Sequence, residues 1–516
     1  MSVYDLYKPL RNLLRQYPLL ESLGVVYAYA QYLQFSRPLP SNIEANPIIY
    51  ARYKAERQIY EWQLDLLSRE IILNSPVRGT KTLRSWPQFA KVINTIKNLE
   101  ETVYVAHRQL LQDNIILEMF RLAHRQFPWQ RRPNEDTLLR YYKIFNTPEF
   151  EPIIRNAIGI SAPEIYTIGL GFAGHFMGSF TYYLNSTIEV REISAEGFNH
   201  FVDHFSADLA SLRQMAAAVQ SYDQDYAYTF NPLRKYPLVR LILNGRDAVV
   251  SPIPTFLFRR FTDGVYYEIC DAKGFADAFG CSFQKYVGEM LSKANYEERF
   301  SILAEQSYYV GKDRKDSVDW IVSDPTGTLF IERKTKKLRW EAKIAVTSTT
   351  VLNDDLDKMA GFIVQIYKTL FDAVNGRYAH WRPRQDQPLY PVIVTLEEWF
   401  AFGDKIFPAI DEIVRRKLAE LQMSPTIVDS YPYTICSIED FELVAQIIQS
   451  TGIHSFMSKK TVGEHLLWPL YSFLGTVFKD ELSQVRKRDS LFVEDMGNIH
   501  WALKDGACKT PSVPSY

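Results

Sequence analysis

Three residues carry the chemistry in the segment SVDWIVSDPTGTLFIERKTKK, residues 317–337: Asp319, Glu332 and Lys334. Between them stands Asp324-Pro325-Thr326-Gly327, with Asp, Pro and Gly where a type I turn favours them. If Asp324 pairs with Gly327, the two flanking apolar runs form a hairpin in which Asp319 lies directly opposite Glu332. Opposite residues share a face, with Cβ atoms about 4.5–5.5 Å apart. Lys334, two residues past Glu332, points the same way. Facing carboxylates repel, so this arrangement needs a partner. Lys334 supplies part of it. A divalent cation supplies more, since Mg²⁺ takes oxygen ligands and commonly binds one or two carboxylates plus substrate phosphates. Such a site would activate water and stabilise charge on a phosphate, with Lys334 steadying the attacking hydroxide or the phosphate oxygens. Strand alternation turns Arg333 to the other face, where the pattern gives it no role.

The surrounding pattern says what must hold these side chains. CSFQKYVGEML puts Phe283, Tyr286, Val287, Met290 and Leu291 on one helical face. SILAEQSYYV reads as one strand ending at Gly311, and the hairpin SVDWIVS/TLFIERK supplies the next two. A long amphipathic helix follows, carrying Leu356, Met359, Ile363, Ile366, Tyr367 and Leu370. LYPVIVTLEEW, almost wholly apolar, reads as a strand buried on both faces. The expected order is helix, three strands, helix, strand.

With these residues in place, the stretch 275–400 resembles the PD-(D/E)XK nuclease superfamily, the restriction-endonuclease-like fold. The resemblance implies an αβββαβ core and a metal, Mg²⁺ or Mn²⁺, held by Asp319 and Glu332. Lys334 completes the Glu-x-Lys element. Val318 stands where the motif name has proline. Some members add an acid from the first helix; Gln284 occupies that position here and is the fourth expected catalytic residue. Gln365 and Tyr367 are too close together to form a Q-x-x-x-Y element. Lys336 and Lys337 beyond the strand, with Gln365 and Lys368 on the second helix, are the expected contacts to a nucleic-acid backbone. The implied activity is metal-dependent phosphodiester hydrolysis, DNA first and RNA as the alternative, in a bacterial restriction or antiviral defence effector. The competing reading is a non-catalytic nucleic-acid-binding or interaction protein on a retired nuclease fold.

Other motifs carry less. Glu341-x-Lys343 repeats the Glu-x-Lys spacing but lacks a preceding apolar strand and a partner acid. GLGFAG, residues 169–174, fits the dinucleotide-binding spelling, yet SAPE just upstream is a capping box that places the glycines inside a helix. His200 and His204 stand four apart on an amphipathic helix without a third ligand and are expected to be surface or half-buried histidines. HRQFPWQRRP, residues 124–133, interleaves Arg125, Arg131 and Arg132 with Phe127 and Trp129, as a nucleic-acid surface or a proline-broken helix joint would.

A chain of 516 residues exceeds one hydrophobic core, so several domains are expected. The expected architecture is α+β: a mostly helical recognition or interaction domain over 1–235, a β-hairpin and helix connector over 236–274, the nuclease-like core over 275–400, and a helical extension over 401–516. In the connector, LVRLIL and RDAVVS flank Asn244-Gly245, a strong hairpin signal. A formal net charge of −1 means that any nucleic-acid surface must be a local patch. Four dispersed cysteines argue against disulfides and a cysteine zinc site. MSVYDLYKPLRNLL lacks the apolar core of a secretory signal, so a cytoplasmic location is expected. Residues 165–188 carry no Asp, Glu, Lys or Arg before Ile188, but their polar content and glycines favour a helix buried on all sides over a membrane span. The helical domain is the expected seat of a second copy or a companion protein.

Overall fold

The computed structural model describes residues 3–45, 59–106, 115–184, 193–223, 225–335, 349–384, 387–497 and 499. They fall into two compact units. The first runs to Phe275 and takes up the described residues from Glu494 onward; the second holds the described residues between Ala276 and Val493.

The first unit is mainly helical and includes a four-stranded sheet. Its strands are β1 (Thr181–Tyr183), β2 (Ser206–Asp208), β3 (Leu238–Leu243) and β4 (Arg246–Val250), in the order β1-β4-β3-β2. Strands β3 and β4 are the expected hairpin. Asn244 and Gly245 both adopt positive φ, 51° and 74°, which a two-residue turn of the right twist demands. Strands β1 and β2 add to the mostly helical region 1–235 two short strands that the sequence did not show; at three residues each they leave no periodic signature. The GLGFAG segment lies in the helix Ala162–Gly178, whose start is the expected capping box: Ser161 N–H donates to Glu164 Oε2 at 2.8 Å. Gly169 is required by packing, because a Cβ there would stand 2.5 Å from the Phe261 ring. Gly174 and Gly178 are exposed, so this helix is not buried on all sides. Among the described residues no helix is long and apolar enough to cross a membrane.

A buried polar knot sits in this unit. Glu70, fully buried, takes Tyr7 Oη at 2.7 Å, Arg69 Nη2 at 2.8 Å and Asn74 Nδ2 at 3.1 Å. Arg69 also donates to the Thr229 carbonyl at 2.9 Å.

The second unit is built on a mixed sheet. Its strands are β5 (Ser301–Ala304), β6 (Ser307–Val310), β7 (Asp313–Asp316), β8 (Trp320–Ser323), β9 (Thr328–Lys334), β10 (Leu389–Thr395) and β11 (Thr434–Ser437). Five of them form one sheet in the order β11-β10-β9-β8-β5; β6 and β7 pair separately as a two-stranded ribbon. The Asp324 turn sets the expected register, from Ser323 opposite Thr328 to Trp320 opposite Ile331. Asp324 fixes it by side chain as well as by backbone: Oδ1 accepts from Thr326 N–H at 2.6 Å and Gly327 N–H at 2.8 Å. Parallel pairing of β9 with β10 spans seven residues. Every residue of β10 is buried, as its unbroken apolar run requires.

The helix Phe275–Ala294 precedes the sheet and the helix Thr349–Val374 connects β9 to β10. Phe283, Tyr286, Val287, Met290 and Leu291 are all buried, as their spacing predicts. Gly288 on that helix lets the Trp320 ring lie against it; a Cβ would fall 2.4 Å from the indole. Two expectations need correction. SILAEQSYYV is two strands, β5 and β6, rather than one. The region after 400 is not helical only, since β11 adds a parallel fifth strand beside β10.

Candidate active site

The strand register brings acids together at one end of the sheet. One step beyond the Trp320–Ile331 pair, Asp319 lies across from Glu332. One step beyond the Ala304–Trp320 pair, Glu305 lies across from Asp319, and Glu305 N–H donates to the Asp319 carbonyl at 2.8 Å. Three carboxyl residues thus follow one another across the ends of β5, β8 and β9. Asp319 is 7 % exposed and Glu332 9 % exposed.

This crowding has an electrostatic consequence. Burial, and next the Glu332 carboxylate, push the Asp319 carboxyl from 3.8 up to about 6, against the pull of Arg333 and Lys334. Glu305 is also raised, by loss of solvent around its carboxyl and further by the Asp319 and Asp316 carboxylates. An acid that leans toward its neutral form at the mouth of a sheet is a functional-site signature.

The cations are divided between the two acids. Lys334 Nζ donates to Glu332 Oε1 at 2.7 Å and lies 5.1 Å from the centre of the Phe362 ring. Arg333 serves Asp319 twice. Its backbone N–H donates to Oδ2 at 2.7 Å, and its Nε stands 3.2 Å from Oδ1. This overturns the expectation that Arg333 turns away without a role. Alternation does set it apart from Glu332, but its long side chain lets the guanidinium reach the Asp319 carboxylate.

Gln284 is present at the site through other residues. Its Nε2 donates to Glu305 Oε2 at 3.0 Å and its Oε1 accepts from Arg333 Nη2 at 3.3 Å. It therefore bridges Glu305 to the guanidinium that holds Asp319, and is a positioning residue in this structure. Gln365 and Lys368 lie on the exposed side of the helix Thr349–Val374. Lys336, Lys337 and the rival pair Glu341 and Lys343 lie outside the described residues.

Asp319 and Glu332 fit a hard divalent cation by chemistry: two oxygen donors, nearly buried, mutually repelling, on one sheet edge. A third protein donor is not part of that set. Among the described residues no group of three or more His, Cys, Asp or Glu side chains is arranged to hold a metal. The donor set matches a cation that completes its shell with water and substrate oxygens.

The other motifs resolve as structure. His204 Nε2 lies 3.0 Å from Glu268, which is also paired with Arg260. Burial opposes the charge on Glu268, but His204 and Arg260 outweigh it and draw the carboxyl down to about 2. In HRQFPWQRRP, Arg125 is buried and paired with Glu100, while Trp129 packs on Phe256 with ring centres 5.5 Å apart. Those two side chains are committed to a helix joint. Glu305 is the site residue the sequence pattern missed. The available signal was a break in SILAEQSYYV at Glu305-Gln306, the only polar pair inside an otherwise β-prone run.

Compared with family models, with curated proteins and with solved structures, the chain matches none.

Proposed function

We propose that this protein is a metal-dependent nuclease that hydrolyses phosphodiester bonds, DNA being the first substrate, with the chemistry at Asp319, Glu332 and Lys334. The observation that carries this reading is the stacking of carboxyl residues at the sheet edge, with Asp319 pushed up to about 6. A surface ion-pair cluster gives no reason to bury two facing acids there. The element order, helix, three sheet strands, helix and strand with β10 parallel to β9, supports the restriction-endonuclease-like reading.

In this mechanism Asp319 and Glu332 would be the residues that hold the divalent cation. That cation, Mg²⁺ or Mn²⁺, supplies charge neutralisation on the phosphate and a lowered pKa for water. Lys334, held at Glu332 and over Phe362, places its ammonium where a non-bridging phosphate oxygen gains charge in the transition state. Arg333 limits the repulsion that Asp319 feels and keeps its carboxylate oriented. Gln284 fixes the guanidinium by tying it to Glu305. Asp319 must be ionised to take the cation, and its proton competes with the metal, so cation binding should weaken as pH falls.

A second reading is favoured by one observation: Arg333 already pairs with Asp319, as it would in a nuclease fold that has lost its metal and kept an interaction role. The test incubates the purified chain with plasmid, with linear single- and double-stranded DNA and with RNA, in Mg²⁺, Mn²⁺ or EDTA. The nuclease reading expects cleavage that EDTA stops and that Asp319→Ala or Lys334→Ala abolishes. Cleavage that survives either, or no cleavage of any substrate, overturns it.

A further inference from the structure

The ribbon β6–β7 rises from the same sheet edge as the acids. It begins two residues after Glu305 and ends three before Asp319. Ser317 N–H donates to the Gln306 carbonyl at 3.0 Å, so the pairing of β5 with β8 passes into that of β6 with β7. Four residues per strand give the paired part a length of about 13 Å.

Its two faces differ. On one, Tyr308 lies opposite Lys315, and both are tied down. Tyr308 is 4 % exposed, its hydroxyl donates to Asp372 Oδ2 at 2.8 Å, and its ring lies 4.7 Å from that of Tyr378. Lys315 Nζ meets the same Asp372 oxygen at 2.9 Å. On the other face, Tyr309 lies opposite Arg314, with Tyr309 66 % exposed and the Arg314 side chain 67 % exposed. Arg314 is steadied by Ser307 Oγ at 2.9 Å and has only a distant partner in Asp316, at 3.9 Å. Lys312 is exposed at the tip. A ribbon anchored along one face and offering an aromatic ring, a guanidinium and an ammonium on the other serves no packing purpose there.

We propose that this ribbon is an arm that enters a groove of duplex DNA beside the bond to be cut, with Tyr309, Arg314 and Lys312 as its contacts. The proposal rests on the reading of Asp319, Glu332 and Lys334 as a phosphodiesterase centre. The major groove of B-DNA, about 12 Å wide, admits a two-stranded β-ribbon. Arg314 supplies a fork of donors for a phosphate or a guanine edge, and Tyr309 a flat surface for sugar or base. Anchorage at Asp372 makes the arm rigid, so a groove seated on it fixes which phosphate reaches the acids.

The test measures fluorescence anisotropy of a fluorescein-labelled 20-base-pair duplex and of the matching single strand, with the full-length chain in EDTA over a series of NaCl concentrations. The double variant Tyr309→Ala/Arg314→Ala should weaken duplex binding about tenfold and reduce the salt slope by about 0.9, the loss of one phosphate contact. Arg314→Glu should weaken it further. Thermal melting of each variant checks the fold, and both substituted side chains are exposed. Wild-type chain that fails to bind the duplex, or variant affinity within twofold of wild type, overturns the proposal. An equal loss on the single strand overturns the groove assignment. Because the binding is read in EDTA, the result stands whether or not the chain cleaves DNA, and a failed nuclease assay leaves it decidable.

Discussion

Glu70 and Asp319 are both buried acids paired with an arginine, at 2.8 Å and 3.2 Å, and the protein treats them in opposite ways. Glu70 has a surplus of donors: Tyr7, Arg69 and Asn74 all point at it. Asp319 has Arg333 but also faces Glu332, and Glu305 lies on its other side. The first arrangement surrounds its carboxylate with donors and fixes the packing of a helical core. The second leaves negative charge in excess at a sheet edge, which is unfavourable unless a cation and a substrate arrive. Ion pairing alone therefore does not separate structural from functional acids; the balance of donors to carboxylates does.

The comparison breaks first if Glu70 is dispensable. Glu70→Ala leaves Arg69 buried without its carboxylate and should destabilise the first unit by about 3–5 kcal/mol in chemical denaturation. A loss below about 1 kcal/mol would place Glu70 with the weak surface pairs.

Asp319→Asn should move stability the other way. The folded protein holds the Asp319 proton more tightly than the unfolded chain does, with a pKa of about 6 against 3.8. The ionised carboxylate is thus a penalty that is fully present above about pH 6, shrinks as pH falls, and vanishes below about pH 4. Removing the charge should stabilise the second unit by about 1–3 kcal/mol at pH 7.5, with no gain at pH 4. Thermal melts at the two pH values read it. Destabilisation at pH 7.5 would make Asp319 a structural acid like Glu70.

Arg333→Ala takes the cation from Asp319 and so raises its pKa further. The acid limb of cleavage should shift to higher pH by about one unit, read from a pH–rate profile. An unshifted limb would mean that Arg333 does not bear on the reacting acid. Gln284→Ala should have the smallest effect. It removes two hydrogen bonds from a half-exposed bridge, about 1 kcal/mol, seen as a fall of a few-fold in kcat with little change in KM. A loss as large as that from Asp319→Ala would make Gln284 a direct participant.

The hairpin was legible because strong local signals agreed. Asp324, Pro325 and Gly327 fix the turn, and the turn fixes the register that sets Asp319 against Glu332. Leu329, Phe330 and Ile331, consecutive and all buried, mark β9 as a strand covered on both faces, so they locate the strand without choosing its register. The long helix and β10 were legible for the same reason, being long and strongly apolar. Glu305 was not, because the polar break at Glu305-Gln306 shows only where β5 ends; that Glu305 stands beside Asp319 depends on pairing with β8. The ribbon was hidden by composition: GKDRKD is charged and lacks the apolar alternation of a strand, and its burial falls on Tyr308 alone. Arg333 was misjudged because alternation describes Cβ direction, while a long guanidinium can reach around a strand end. Strand β11 was missed because TICS is four residues between a proline-containing loop and a helix.

The claim that Asp319 and Glu332 are kept close for a divalent cation is tested most directly by calorimetric titration of Mn²⁺ into the full-length chain at pH 7.5. Wild type should bind with a clear heat, and Asp319→Ala and Glu332→Ala should each abolish or weaken that binding at least tenfold. Undiminished Mn²⁺ binding by both variants would contradict the account.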